Sequence, residues 1–378
     1  MGFGLMSLSY ICGMHLYVHI PFCARRCSYC DFAIAVRREV PSRRFVDAIL
    51  TEWQRWSEWE TWEWDATLAT IYLGGGTPSR LDPLELDRLL KGVRAHRALA
   101  PDAEVTLEAN PEDVTAERVT AWLGAGVNRI SLGIQSFDDR ALTWMHRVHD
   151  AERARLAVKT LRNEGVSNLS LDLIFALPSS LGRHWQRDVD EALGLEPQHL
   201  SLYGLTVEEK TPLGRWTARG STIPADDERY AAEYLAAHES LLAAGFDHYE
   251  VSNAGRPGFR ARHNSAYWTG ARYLGLGPSA HSAADGVRWW NVPEWAAYDR
   301  AMEAAQSVEA GRESLTPDQM LLERRYLGLR TSDGVALADA PPEAATWQEL
   351  GWARQEGSRL TLTIEGWLRL DALLLQSS

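Results

Sequence analysis

Apolar residues recur over the first two hundred positions in short runs rich in β-branched and aromatic side chains. These are 16–22 (LYVHIPF), 68–76 (LATIYLGGG), 104–111 (EVTLEANP), 128–136 (NRISLGIQS), 168–178 (NLSLDLIFALP) and 199–205 (HLSLYGL). Between them, segments such as PLELDRLLKGVRAH and ERARLAVKTLRNEG place apolar residues every three or four positions, the spacing of an amphipathic helix. Strands alternating with helices predict βαβ units, a parallel sheet and right-handed crossovers. Six such units fall short of a closed eight-fold barrel. The pattern predicts an α/β open sheet or partial barrel, with ligands at the carboxyl ends of its strands.

Beyond residue 206 the pattern loosens. A helix is expected over 226–244, followed by a Gly/Arg/Asn-rich stretch to 282. From residue 315 short helices lead into RLTLTIEGWLRLDALLL, which reads as strand, turn and helix: a small helical or winged-helix-like C-terminal domain. Trp53, Trp56, Trp59 and Trp62 recur at three-residue spacing on one helix, a stripe best read as cover for apolar surface. Residues 1–13 have no clear period and read as an upstream extension with Met14 as the natural start, or as an ordinary terminus.

Composition narrows the function classes. With 39 Lys+Arg against 51 Asp+Glu, the formal charge is −12, so no net field gathers nucleic acid or anionic lipid. No apolar run reaches the roughly 18 residues that a membrane span requires, which excludes an integral membrane protein, and a cytoplasmic location is expected. Four cysteines are too few for a disulfide scaffold, and three of them fall within eight residues.

Those three, Cys23, Cys27 and Cys30, form the spacing C-x-x-x-C-x-x-C, while Cys12 stands apart. Three thiolates on one tight loop can each hold one iron of a 4Fe-4S cluster and leave the fourth iron open to a small chelating molecule. A zinc knuckle and unligated thiols are the alternatives. A tetrahedral zinc site calls for a fourth protein ligand, and the nearby His19 lies on an expected strand. A Gly74-Gly-Gly-Thr-Pro78 turn follows the second strand, where glycine lets backbone approach a ligand closely. Glu108, Gln135 and Asp172 then fall in or beside three successive apolar strands, where an unpaired polar group is costly. Each alone is readily a structural hydrogen bond; together they read as a ladder facing one cavity.

The cysteine spacing in this setting resembles that of the radical S-adenosylmethionine (SAM) superfamily. YVHIPFC, CSYCDF, GGGTP, EANPE, GIQSF and LDLIFALP resemble, more narrowly, the HemN/HemW group within it. The resemblance runs from residue 14 to the C-terminus. It implies a partial (β/α)6 barrel over 14–220, a group-specific extension over 221–305 and a HemN-type C-terminal domain over 306–378. Carried over residue by residue, it makes Cys23, Cys27 and Cys30 the cluster ligands. It puts Tyr17, Gly75, Gly76, Thr77, Glu108, Gln135, Arg147 and Asp172 around SAM. Arg147 has a fork of donors suited to the methionine carboxylate. Gln135 and Asp172 suit ribose hydroxyls, and Tyr29 suits the adenosyl end.

Two features separate the branches of this group. The oxidase branch, oxygen-independent coproporphyrinogen III oxidase, carries a further Cys two places after the third and a longer N-terminal arm; here that place is Phe32. His263-Asn-Ser-Ala-Tyr-Trp268 matches the H-N-x-x-Y-W signature of the heme-chaperone branch. In it His263 can bind heme iron while Tyr267 and Trp268 lie along the porphyrin; equally, the motif can be a loop fixed by a buried His and Trp. The resemblance therefore implies a heme-binding protein, more a chaperone than an enzyme, that holds a 4Fe-4S cluster, SAM and heme and delivers heme to an acceptor protein. No catalytic residue is assigned. The oxidase, or another HemN-like radical SAM enzyme, is the alternative. A homodimer is compatible with the sequence.

Overall fold

The computed structural model describes residues 13–57 and 67–375. The expected extension therefore lies, apart from Gly13, outside the described residues, as do Cys12, Trp59 and Trp62.

One twelve-stranded sheet organises the chain. Its first six strands are β1 (Met14–Ile20), β2 (Thr67–Gly75), β3 (Ala98–Ala109), β4 (Arg129–Gln135), β5 (Leu169–Phe175) and β6 (His199–Gly204). They lie side by side in chain order, and every neighbouring pair is parallel. These are the six apolar runs of the sequence. Apart from the first five residues of β3, each strand is buried over most of its length, as expected for a parallel sheet covered by helices.

Beyond residue 206, where the pattern loosens, the expected helix is present as Asp227–Ala243, and five strands join the same sheet: β7 (Asp247–Glu250), β8 (Asn253–Gly255), β9 (Tyr273–Leu276), β10 (His281–Ala284) and β11 (Val287–Asn291). A twelfth, β12 (Glu309–Ser314), closes the series. β9 joins β1 in parallel, so the parallel run is seven strands wide. β10, β11 and β12 continue beyond β9 as antiparallel neighbours, and β8 and β7 flank β6 at the other end. β9 is only four residues long and sits among glycines, so it lacks the length that marks the other strands in sequence.

The helices pack their apolar faces on the sheet. The helix Pro83–His96 buries Leu86, Leu89, Leu90 and Val93, and starts at Asp82, whose carboxylate accepts from the Leu84 and Glu85 N–H groups. Each such leucine contributes about 1.5–3 kcal/mol by leaving water. Trp53 is buried and Trp56 packs on Trp289 at 5.4 Å, so this part of the tryptophan stripe covers apolar surface as expected. At the C-terminus a three-stranded antiparallel sheet and short helices share a second core around Leu329, Trp347, Leu360 and Trp367. Among the described residues no helix is long and apolar enough to cross a membrane.

Candidate functional site

β1 ends at Ile20, and the cysteine loop begins immediately above it. The loop is tied down on several sides. Ala35 N–H donates to the Pro21 carbonyl at 2.7 Å, Arg37 N–H to the Cys23 carbonyl at 2.9 Å, and Ser28 N–H to the Met145 carbonyl at 3.1 Å. Gly76 N–H donates to the Ile20 carbonyl at 2.8 Å, drawing the glycine turn against the loop. A Cβ on Gly76 would meet the Pro21 carbonyl oxygen at 2.7 Å and Cys23 Sγ at 3.0 Å. Gly75 has φ +113°, and a Cβ there would strike the His19 ring.

The loop and the strand ends enclose a cavity of about 430 Å³, within the range of small-molecule sites. Cys23, Cys27 and Cys30 line it; all three are free thiols. So do Tyr29, Gly75, Gly76, Thr77, Glu108, Gln135, Arg147 and Asp172. Residues from five strands and their following loops thus converge on the cysteine loop.

Arg147 is fixed by donation from Nη2 to Asn110 Oδ1 at 2.7 Å and to the Gly133 carbonyl at 2.9 Å, while Nη1 faces Cys27 Sγ at 3.5 Å. Glu108 accepts from the Tyr72 hydroxyl at 2.8 Å and Gly75 N–H at 3.0 Å. Burial, followed by the Asp172 charge, pushes its carboxyl up to about 7 against those two donors. Asp172 accepts from Ser131 at 3.0 Å and Ser170 at 3.2 Å, and burial still raises its carboxyl. Burial likewise raises the Cys23 thiol and pushes that of Cys30 up to about 11. Coordination to iron would deprotonate such thiols.

The donors fit the cofactors implied. Gln135 stands at φ +67°, outside the usual region for a side-chain-bearing residue, and its buried Oε1 has no partner. Arg147 Nε is also buried without one. These orphaned groups suit an amino acid or ribose to be supplied by a ligand. Among the described residues no three His, Cys, Asp or Glu groups are arranged around a single ion.

Two further residues belong to the site without having stood out in the sequence. Asn110 and Glu112 sit within EANPE; Asn110 links Arg147 to Thr77, and Glu112 pairs with His149 at 3.1 Å. Their place in that motif, directly after Glu108, was the available signal.

Tyr17 departs from expectation: it does not line this cavity. It lies three residues before Ile20, level with Tyr72 in the strand register and below the strand ends. Its ring stacks on Tyr72 at 6.1 Å and its hydroxyl bonds His19 Nδ1 at 3.1 Å. It opens instead on a second cavity of about 850 Å³, lined by β9 to β11, the helix Arg262–Trp268 and the C-terminal unit.

His263, the candidate heme ligand, is enclosed in this structure, as in the alternative reading of a loop fixed by a buried His. It lies on the inner face of its helix and is buried, with Nδ1 bonded to Thr70 at 2.6 Å and Nε2 to the Tyr267 hydroxyl at 2.8 Å. Both ring nitrogens are occupied and its ring stacks on Tyr72 at 5.1 Å, so it serves as an anchor in the barrel interior. Tyr267 and Trp268, by contrast, do line the larger cavity.

A loop of three thiols above a parallel barrel sheet, with a glycine turn and strand-end polar groups around one cavity, defines a radical SAM protein. Residues 17–192 match the family model described as Radical SAM superfamily. The chain is 39% identical over 367 residues to the heme chaperone HemW of Mycobacterium tuberculosis, covering 95% of this chain and 93% of that protein. It is 39% identical over 269 residues to the heme chaperone HemW of Escherichia coli, covering 71% and 69%. The solved structure of coproporphyrinogen III oxidase (HemN) from Escherichia coli superposes with a TM-score of 0.80 over 97% of this chain and 90% of that one. At 19% identity that likeness is one of fold. The chain belongs to the HemW family.

Proposed function

We infer that this protein is a heme chaperone: it binds heme together with a SAM-chelated 4Fe-4S cluster and passes heme to an acceptor protein. The observation that carries the reading is identity to HemW proteins over nearly the whole chain, including the region beyond the barrel. In this reading Cys23, Cys27 and Cys30 hold the cluster and Arg147, Gln135, Glu108 and Asp172 hold SAM. When bound, the cluster would offer its fourth iron to SAM and could supply the electron for reductive cleavage of the sulfonium. Gly75 and Gly76 keep the turn close enough for backbone contact, and Arg147 offers positive charge to a carboxylate. A cytoplasmic setting, where clustered thiols stay reduced, completes the reading.

Phe32 stands two places after Cys30 and is 60% exposed, so no additional thiol is offered at that position. The test is anaerobic reconstitution, followed on one sample by heme titration, a SAM-cleavage assay and incubation with coproporphyrinogen III. Stoichiometric heme binding without conversion to protoporphyrinogen IX is expected. Multiple turnovers to protoporphyrinogen IX would replace the chaperone reading with the oxidase.

A further inference from the structure

The histidines lining the larger cavity are His19 and His281. His19 is spent, with Nδ1 on the Tyr17 hydroxyl at 3.1 Å and Nε2 on the Ala33 carbonyl at 3.0 Å. His281 opens β10, is exposed, and has no hydrogen-bond partner on either ring nitrogen among the described residues. Its ring lies against Trp290, its cross-strand partner, at 5.9 Å with 24° between the planes. The turn leading into it is fixed. Ser279 sits at φ +62°, Ala280 N–H donates to the Gly277 carbonyl, and Asn291 N–H to the Ala280 carbonyl. An imidazole supported from behind, with both nitrogens uncommitted, is what an open metal-ligand position requires.

We propose that the 850 Å³ cavity receives the heme and that His281 is its axial iron ligand. This rests on the heme-chaperone reading and gives that cargo a place. The cavity is about twice the volume of the thiol-lined one, and its lining includes flat and apolar groups: Tyr267, Trp268, Tyr273, Val287, Met320 and Leu327. Charge for the tetrapyrrole's propionates is present as well. Arg359 donates to the Asp333 and Gly334 carbonyls and, among the described residues, pairs with no carboxylate. Arg288 is held by Glu323 at 2.6 Å and Glu313 at 3.6 Å. Partial desolvation, and then the Arg288 cation, lower the His281 imidazole from its ordinary value. The assignment also explains the HNSAYW motif. His263 fixes the Tyr267 hydroxyl from inside the barrel, and Tyr267 and Trp268 form wall rather than ligand.

The test is titration of the whole chain with ferric heme, read by the Soret band and by electron paramagnetic resonance. It compares wild type, His281→Ala and Val287→Trp. His281 is exposed, so its variant should keep the wild-type melting curve. It should lose the histidine-ligated signature and at least the roughly tenfold in affinity that disturbing even an outer-shell partner costs a metal site. Added imidazole should restore the signature, and Val287→Trp should weaken binding by filling the cavity while His281 is intact. Wild-type affinity and spectrum in His281→Ala would overturn the ligand assignment and leave the chaperone reading standing. No heme bound by wild type would overturn both.

Discussion

The guanidinium of Arg147 faces the sulfur of Cys27, Nη1 to Sγ, at 3.5 Å. The two residues are 120 positions apart, and the contact joins the cysteine loop to the segment after β4. Nη2 is occupied by Asn110 and the Gly133 carbonyl, while Nε is buried with no partner. A cation held beside the thiol loop with a donor in reserve has the chemistry to receive an anionic ligand group.

Arg147→Ala and Asp172→Ala should therefore each weaken SAM binding while the cluster still assembles. Losing a charged hydrogen-bond partner costs about 1.5–3 kcal/mol, or roughly ten- to a hundredfold in affinity. Calorimetry on anaerobically reconstituted protein reads the change. Unaltered affinity in both variants would mean that the ligand binds elsewhere.

Alanine at Cys23, Cys27 or Cys30 should abolish the visible absorption and paramagnetic signal of the reconstituted cluster. All three line one cavity. Cys12→Ala should retain both signals, and their loss there would bring Cys12 into the ligand set.

Two glycines make a controlled comparison. Gly76→Ala forces a methyl against the Pro21 carbonyl oxygen and Cys23 Sγ, so the melting temperature and the cluster content should both fall. Gly124, inside the helix Ala116–Ala125, has nothing within 4 Å of its would-be Cβ. Gly124→Ala should stabilise by about 0.5–1 kcal/mol, the usual gain of Ala over Gly in a helix. Equal effects of the two substitutions would contradict this packing.

The barrel strands were legible because each is a buried apolar run ended by glycine, proline or a polar residue. The thiols were legible because spacing alone constrains a loop. Facing was harder to read. Tyr17 belongs to the same motif as Cys23, yet three residues of strand separate it from the loop, enough to open it on another cavity. The HNSAYW motif shows the same limit: a seven-residue helix turns His263 inward and Trp268 outward, and one sequence does not say which face meets the core. β9 escaped notice because its stability comes from pairing with β1, a contact across more than 250 positions.

His263→Ala should destabilise the fold by about 2–4 kcal/mol, since it removes two buried hydrogen bonds and leaves a void beside Tyr72. Denaturant unfolding measures the loss. The spectrum of bound heme should keep its ligation signature, and loss of that signature with the fold intact would return His263 to the iron.

Glu108 gives stability a specific pH dependence. Its carboxyl titrates at about 7 in the folded chain against an ordinary value of 4.5, raised first by burial and also by Asp172. The folded state thus holds a proton that the unfolded state has released between those two values, so this group's contribution falls as pH rises from about 4.5 to about 7. The full effect is at most about 3.5 kcal/mol, since each tenfold change in proton affinity is worth about 1.4 kcal/mol. Glu108→Gln removes the titration while keeping the shape. In cluster-free protein, the stability of wild type relative to Glu108→Gln should therefore decline across that window and level off above it. Unfolding curves at pH 5, 6, 7 and 8 provide the comparison. A difference that stays constant with pH would show that the Glu108 carboxyl is not raised.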